Sequence, residues 1–333
     1  MSKKSIDKNY TLEYYDSVQS VDVNWLWRPY VPYSKITILQ GDPGEGKTTL
    51  MLQIAAMLSS GRSIPDGNES VTPQKVIFQS SEDGIADTIK PRLEAAGADC
   101  SNIAFIKTTG ANLTLGDKVF GDAIRASGAK LLIIDPLQAF IGTEGDLLRP
   151  GGIREAFRGL TEIAEETGCA IVMISHLNKN AGRKGIYRGL GTIDVAAVAR
   201  SVLMIGRSSY DHLMRVMVPI KSSLAPEGCA YGFRLDPETG FEWVGPCEYS
   251  AADILCNSTE TAIGGKLERA KELLENLLIE DKSAIYIMNE MQKSGIGERT
   301  AQTAKKELGV ISYRMQESWY WHLPDPGTGE ADV

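Results

Sequence analysis

Chemistry in this chain concentrates in one run of eight residues, Gly41-Asp42-Pro43-Gly44-Glu45-Gly46-Lys47-Thr48, which matches the pattern G-x-x-x-x-G-K-[ST] in full. Glycines in such a run let backbone N–H groups converge on phosphate oxygens without side-chain obstruction. A helix opening at Lys47 would add the partial positive charge of its N-terminus. In that arrangement Lys47 reaches the outer phosphates of a nucleoside triphosphate, and the Thr48 hydroxyl is a ligand for Mg²⁺. The expected nucleotide cradle comprises Gly41, Asp42, Pro43, Gly44, Glu45, Gly46, Lys47, Thr48 and Thr49. The bland alternative is a surface glycine turn.

Hydrolysis needs further groups opposite the cradle. Asp135 closes the apolar run Leu131-Leu132-Ile133-Ile134. A carboxylate at the C-terminal tip of a parallel strand lies where such sheets bind ligands, and we expect it to hold Mg²⁺ with Thr48; the competing reading is a helix N-cap. Glu82 and Asp83 follow the run Val76-Ile77-Phe78 and are equal candidates, from the residues alone, for polarising the attacking water. His176 follows Ala170-Ile171-Val172-Met173-Ile174, again at a strand tip.

The elements that must position these groups can be read from periodicity. Strands are expected at 36–39, 76–78, 103–106, 131–134 and 170–174, alternating with helices at 48–59, 84–96, about 120–125 and 154–167. Continuous apolar strands alternating with helices predict an α/β fold with a parallel sheet covered on both faces. Beyond Gly206, the runs 214–220, 231–235 and 241–244 predict an antiparallel extension, and 246–265 reads as a linker. Trp25, Trp27 and Tyr30 are expected to pack over an edge of the first domain. Helices at 267–278, 284–291 and 298–308, then a hairpin at 311–315 and 318–322, follow the order of a winged helix-turn-helix. Arg299, Gln302, Lys305 and Lys306 would point outward from its third helix, toward DNA or a protein. The expected divisions are an N-terminal extension 1–34, an ATPase domain 35–245, the linker 246–265, a winged-helix-like domain 266–324 and a tail 325–333.

Composition narrows the classes. At 333 residues, 43% hydrophobic, the chain can build one large domain and a small one. No apolar run approaches the ~20 residues that span a bilayer, and the first residues lack the apolar core of a secretion signal, so a cytoplasmic location is expected, with no membrane partner. Five cysteines without knuckle spacing and three scattered histidines argue against disulfides and zinc. The net charge of -8 argues against a surface that coats nucleic acid as a whole.

Several short runs together carry a resemblance: Trp25-Leu26-Trp27, Gly41-Asp42-Pro43-Gly44, Asp135-Pro136, His176-Leu177-Asn178-Lys179, Tyr187-Arg188 and Ala199-Arg200-Ser201. From about Asn24 to Trp243 the chain resembles the RepA-like ATPases, RecA-type hexameric replicative helicases of plasmids, phages and mobile elements. The resemblance implies a RecA-like P-loop NTPase core that binds ATP and Mg²⁺ and assembles as a homo-oligomer, a hexamer, on single-stranded DNA, with a primase or replication initiator as a possible partner. It implies Glu82 as the catalytic glutamate, Asp135 as the magnesium acid and His176 as the γ-phosphate sensor. Arg200 would be an arginine finger reaching into the neighbouring subunit, with Arg207 and Lys221 as rivals. The loop 178–191, with Lys179, Arg183, Lys184 and Arg188 among glycines, would face the ring channel and grip single-stranded DNA. Two other readings share this core: a nucleotide switch or recombination-type ATPase, and a DNA-binding regulator whose ATPase controls assembly.

Overall fold

The apolar runs pair into one nine-stranded sheet. A computed structural model of the chain describes residues 12–65, 72–108, 113–141, 152–177, 198–208, 211–251, 253–254, 264–294, 296–315 and 318–324. Its strands are β1 (Trp25–Trp27), β2 (Val31–Pro32), β3 (Ile36–Gly41), β4 (Val76–Ser80), β5 (Ile103–Ala104), β6 (Leu131–Asp135), β7 (Ala170–His176), β8 (Ser201–Arg207), β9 (Met214–Ser222), β10 (Ala230–Asp236) and β11 (Gly240–Cys247). The large sheet runs β11-β10-β9-β8-β3-β7-β6-β4-β5. From β8 to β5 neighbours are parallel, and β8 to β11 are antiparallel.

Successive strand residues face opposite sides of the sheet, so both sides are apolar. Leu39, Phe78, Leu131, Ile133, Val172 and Ile174 pack on one side against α1 (Lys47–Ser59) and α2 (Lys90–Ala95). Ile38, Ile77, Leu132, Ile134, Ile171 and Met173 pack on the other against α3 (Val119–Ser127), α4 (Leu137–Ile141) and α5 (Gly152–Thr167). The hairpin β1–β2 lays Trp27 edge-on against Tyr30 at 4.8 Å and Tyr231 at 5.2 Å, so the aromatic extension is part of the main core.

Four expectations need correction. Strand β8 is absent from the periodicity reading, although Val202-Leu203-Met204-Ile205 is as apolar as its neighbours; it pairs in parallel with β3 and joins the two halves of the sheet. Strand β5 ends at Ala104 rather than Ile106, because the Gln79 side chain takes the Ile106 N–H at 2.8 Å and the ladder stops there. The helix expected over 84–96 opens as a π-turn at Ile85–Ile89 before α2, where Pro91 offers no N–H to an α-helical ladder. The expected linker is partly sheet and core: β11 runs to Cys247, and Ile254 packs with Met204, Val216, Val218 and Ala230.

Toward the C-terminus, helices Gly264–Leu277, Ala284–Lys293 and Glu298–Glu307 are followed by the hairpin β13 (Ile311–Met315) and β14 (Ser318–His322). A two-residue strand, β12 (Lys282–Ser283), which the periodicity does not indicate, joins the hairpin in the order β12-β14-β13. Its apolar cluster, among the described residues, includes Leu274, Ile287, Met291, Ala301, Ala304 and Trp321. Among the described residues, no helix is long and apolar enough to cross a membrane.

Candidate active site

Strand β3 ends in the glycine run because the chain must turn sharply without side chains. A Cβ at Gly41 would collide with the Ile205 carbonyl of β8. Gly44 and Gly46 have φ of 80° and 84°, in the left-handed region that favours glycine. A Cβ on Gly44 would meet nothing within 4 Å, so the space beside the loop is open there. Helix α1 starts at Lys47, and its first-turn N–H groups have no carbonyl within the helix to serve them.

Lys47 is 4% exposed, and its ammonium donates to the Gly41 and Asp42 carbonyls at 2.8 Å each. Burial lowers its pKa, and the carboxylates of Asp135, Asp42, Glu45 and Glu82 oppose that fall. The cation is thus held inside its own loop among acids.

The sheet brings the expected partners to the same end. Gly41 sits beside His176 across β3–β7, and Ser80 sits beside Asp135 across β4–β6. The Thr48 hydroxyl donates to Asp135 Oδ2 at 2.6 Å. Asp135 is 5% exposed. Burial raises its pKa, and Glu82 adds to the rise, while the Thr48 hydrogen bond, Lys47 and His176 pull it down. A buried carboxylate beside a hydroxyl offers a pair of hard oxygen donors, the type that suits Mg²⁺. The residues present therefore fit the ion, with Thr48 and Asp135 as the side chains that would hold it. Among the described residues there is no cluster of three or more His, Cys, Asp or Glu side chains to hold a metal by themselves; phosphate and water oxygens would complete the shell.

The alternatives at strand β4 separate in space. Asp83 pairs with Arg92 at 3.2 Å. Glu82 turns instead to His176, with Oε1 3.7 Å from Nε2, and acts electrostatically on both Asp135 and Lys47. The other His176 nitrogen, Nδ1, is buried without a hydrogen-bond partner. Gln138 of α4 donates to Ser175 Oγ at 3.0 Å and to the His176 carbonyl at 3.4 Å, tying α4 to this tip of β7. Sequence reasoning passes over Gln138; its signal there is its place three residues after Asp135.

The finger candidates lie elsewhere. Arg200 precedes β8, its N–H donating to the Ile36 carbonyl at 3.1 Å. That is the opposite end of β3 from the phosphate loop, about 16 Å away at ~3.3 Å per strand residue. Lys221 lies at the same far end and donates to the Ala199 carbonyl at 2.7 Å. Arg207, at the other end of β8, lies beside the chain's own loop, 3.6 Å from Glu45. Lys179, Arg183, Lys184 and Arg188 fall outside the described residues.

Lysine in a glycine loop, a hydroxyl paired with a buried aspartate and a glutamate at the neighbouring tip are the arrangement of a P-loop ATPase. The chain matches the AAA domain family over residues 15–182, and it belongs to that family. It is similar to the DNA repair protein RadA of Brucella abortus (strain 2308), 28% identical over 149 residues that make up 43% of this chain and 28% of that protein. It is also similar to the DNA repair protein RadA of Bacillus subtilis (strain 168), 21% identical over 243 residues, 72% of this chain and 47% of the relative. The chain thus spans less than half the length of these relatives. Among solved structures it is similar to the RadB recombinase, with TM-score 0.46 and 18% identity over 65% of this chain and 92% of the other.

Proposed function

We propose that this protein is an ATP-driven, DNA-acting motor of the RepA-like helicase type, serving replication of a plasmid or other mobile element. The observation that carries the ATPase part is the convergence of Lys47, Thr48, Asp135, Glu82 and His176 at one end of the parallel strands. Lys47 and the loop amides bind and orient the triphosphate, and Thr48 with Asp135 hold Mg²⁺, which neutralises phosphate charge when bound. Glu82 accepts the proton of the attacking water. His176, within reach of Glu82, reports the state of the outer phosphate to the loop that follows β7.

The motor reading adds assembly as a homo-oligomer, a hexamer, and contact with single-stranded DNA through Lys179, Arg183, Lys184 and Arg188, with a primase or initiator as a further partner. A trans finger from Arg200 or Lys221 suits the placement of both away from the chain's own cradle. The C-terminal helices and hairpin are read as a winged-helix-like domain that binds DNA or protein. A second reading, a recombination-type ATPase that changes assembly state without processive unwinding, is favoured by the curated relatives, which are named for DNA repair.

The test is hydrolysis with and without single-stranded DNA, alongside strand displacement on a forked duplex. The motor predicts a severalfold rise in ATP turnover with DNA and displaced strand. DNA-stimulated hydrolysis with no displacement sinks the motor and leaves the second reading.

A further inference from the structure

Of the two acids inside the phosphate loop, Asp42 and Glu45, the second meets a pair of arginines. Glu45 is half-buried, and its field reaches the Lys47 ammonium. A carboxylate free to turn into the cradle would compete with phosphate for that lysine.

Its carboxylate is instead held to the side. Arg215 Nε lies 3.4 Å from Glu45 Oε2, and Arg207 Nη2 lies 3.6 Å from Glu45 Oε1. The two arginines are direct cross-strand partners on β8 and β9. Like charges directly opposite each other weaken a sheet, so an anion between them is what makes the pair tolerable.

Arg215 is also locked in place. Its side chain is 8% exposed, and Nη1 donates to the His212 carbonyl at 2.6 Å. The remaining acid nearby, Asp211, is taken by Arg234 at 3.1 Å. Glu45 Oε2 and Arg215 Nε are buried without a hydrogen bond, so each relies on the other's charge. Burial of the guanidinium and the neighbouring Arg207 both push the Arg215 pKa down, and Glu45 is the first opposing charge.

We propose that Arg215, with Arg207, parks the Glu45 carboxylate away from the phosphate cradle, and that Arg215 is therefore a positioning residue for ATP binding. The proposal rests on the nucleotide reading of the loop. It differs from a finger role, because both arginines act within one chain and through Glu45 rather than on phosphate.

The test is equilibrium binding of a fluorescent ATP analogue with Mg²⁺ to the full chain. Arg215→Met frees the acid and is expected to weaken binding roughly tenfold, about 1.4 kcal/mol. Arg207→Met, at an exposed strand end, should weaken it in the same direction and by less. Adding Glu45→Gln to either variant should recover most of the loss, because no acid is left to park. An arginine that merely braces the sheet would give a loss that Glu45→Gln does not recover, and that result overturns the proposal. So does unchanged affinity in folded Arg215→Met; should that variant not fold, unchanged affinity in Arg207→Met overturns it equally. Failure of the unaltered chain to bind the analogue removes the nucleotide reading itself, a result distinguishable from the others.

Discussion

At the residue scale, the site separates groups that look equivalent on paper. Glu82 and Asp83 are adjacent acids after the same strand, but Arg92 occupies Asp83 while Glu82 faces His176. Glu82→Gln is therefore expected to keep ATP binding and to lose hydrolysis by about 10²–10⁴-fold, the usual worth of a general base. Asp83→Asn should cost far less, and steady-state phosphate release from the two variants checks the contrast. Lys47→Ala should abolish binding, since it removes the cradle's buried cation. Asp135 gives a pH prediction. Its pKa is raised in the fold by burial, so the stability linked to its proton is fully present below the ordinary carboxylate pKa. That stability is lost as pH rises through the elevated folded value. In metal-free protein at neutral pH, Asp135→Asn should thus raise the melting temperature while removing Mg²⁺-dependent hydrolysis. Mg²⁺-ATP affinity of the unaltered chain should begin to fall, on acidification, above the pH at which an ordinary aspartate titrates.

At the element scale, the sheet's two halves are joined where the loop is built. Strand β8 lies against β3 at Gly41, and Leu235 of β10 lies where a Cβ on Gly46 would come within 2.6 Å. The antiparallel extension therefore shapes the phosphate loop rather than only closing an edge. The β1–β2 hairpin supports the same extension through Trp27, which is 1% exposed and also meets Trp243 at 5.7 Å. Trp27→Ala should cost about 3–5 kcal/mol, typical of a large aromatic removed from a packed core, read as a lowered urea midpoint with unchanged slope. A shift under about 1 kcal/mol would mean that the hairpin is peripheral to the core.

At the scale of the whole molecule, the C-terminal helices and hairpin carry their own apolar cluster, and among the described residues the clusters of the large sheet draw on none beyond Ile254. A chain ending at 263 is expected to keep its melting transition and ATP affinity. Loss of nucleotide binding on that truncation would show that the two parts fold as one. Under the proposed motor reading, the net charge of -8 confines contact with nucleic acid to local basic segments. DNA affinity should accordingly fall steeply with salt, with a slope set by a handful of phosphate contacts.

The sequence by itself determined the phosphate loop, the strand that delivers Asp135 and the alternation of apolar runs that makes a doubly covered parallel sheet. These are properties of short stretches, where residue type and spacing dictate backbone geometry directly. Tertiary structure alone decided that Arg92 takes Asp83 while Glu82 lies near His176, that β8 pairs with β3, and that Ile254 belongs to the core. It also decided that Arg207 and Arg215 meet Glu45. Each of these depends on side chains brought together from segments far apart in the chain or on competition between neighbours for one partner, and local pattern holds no record of either.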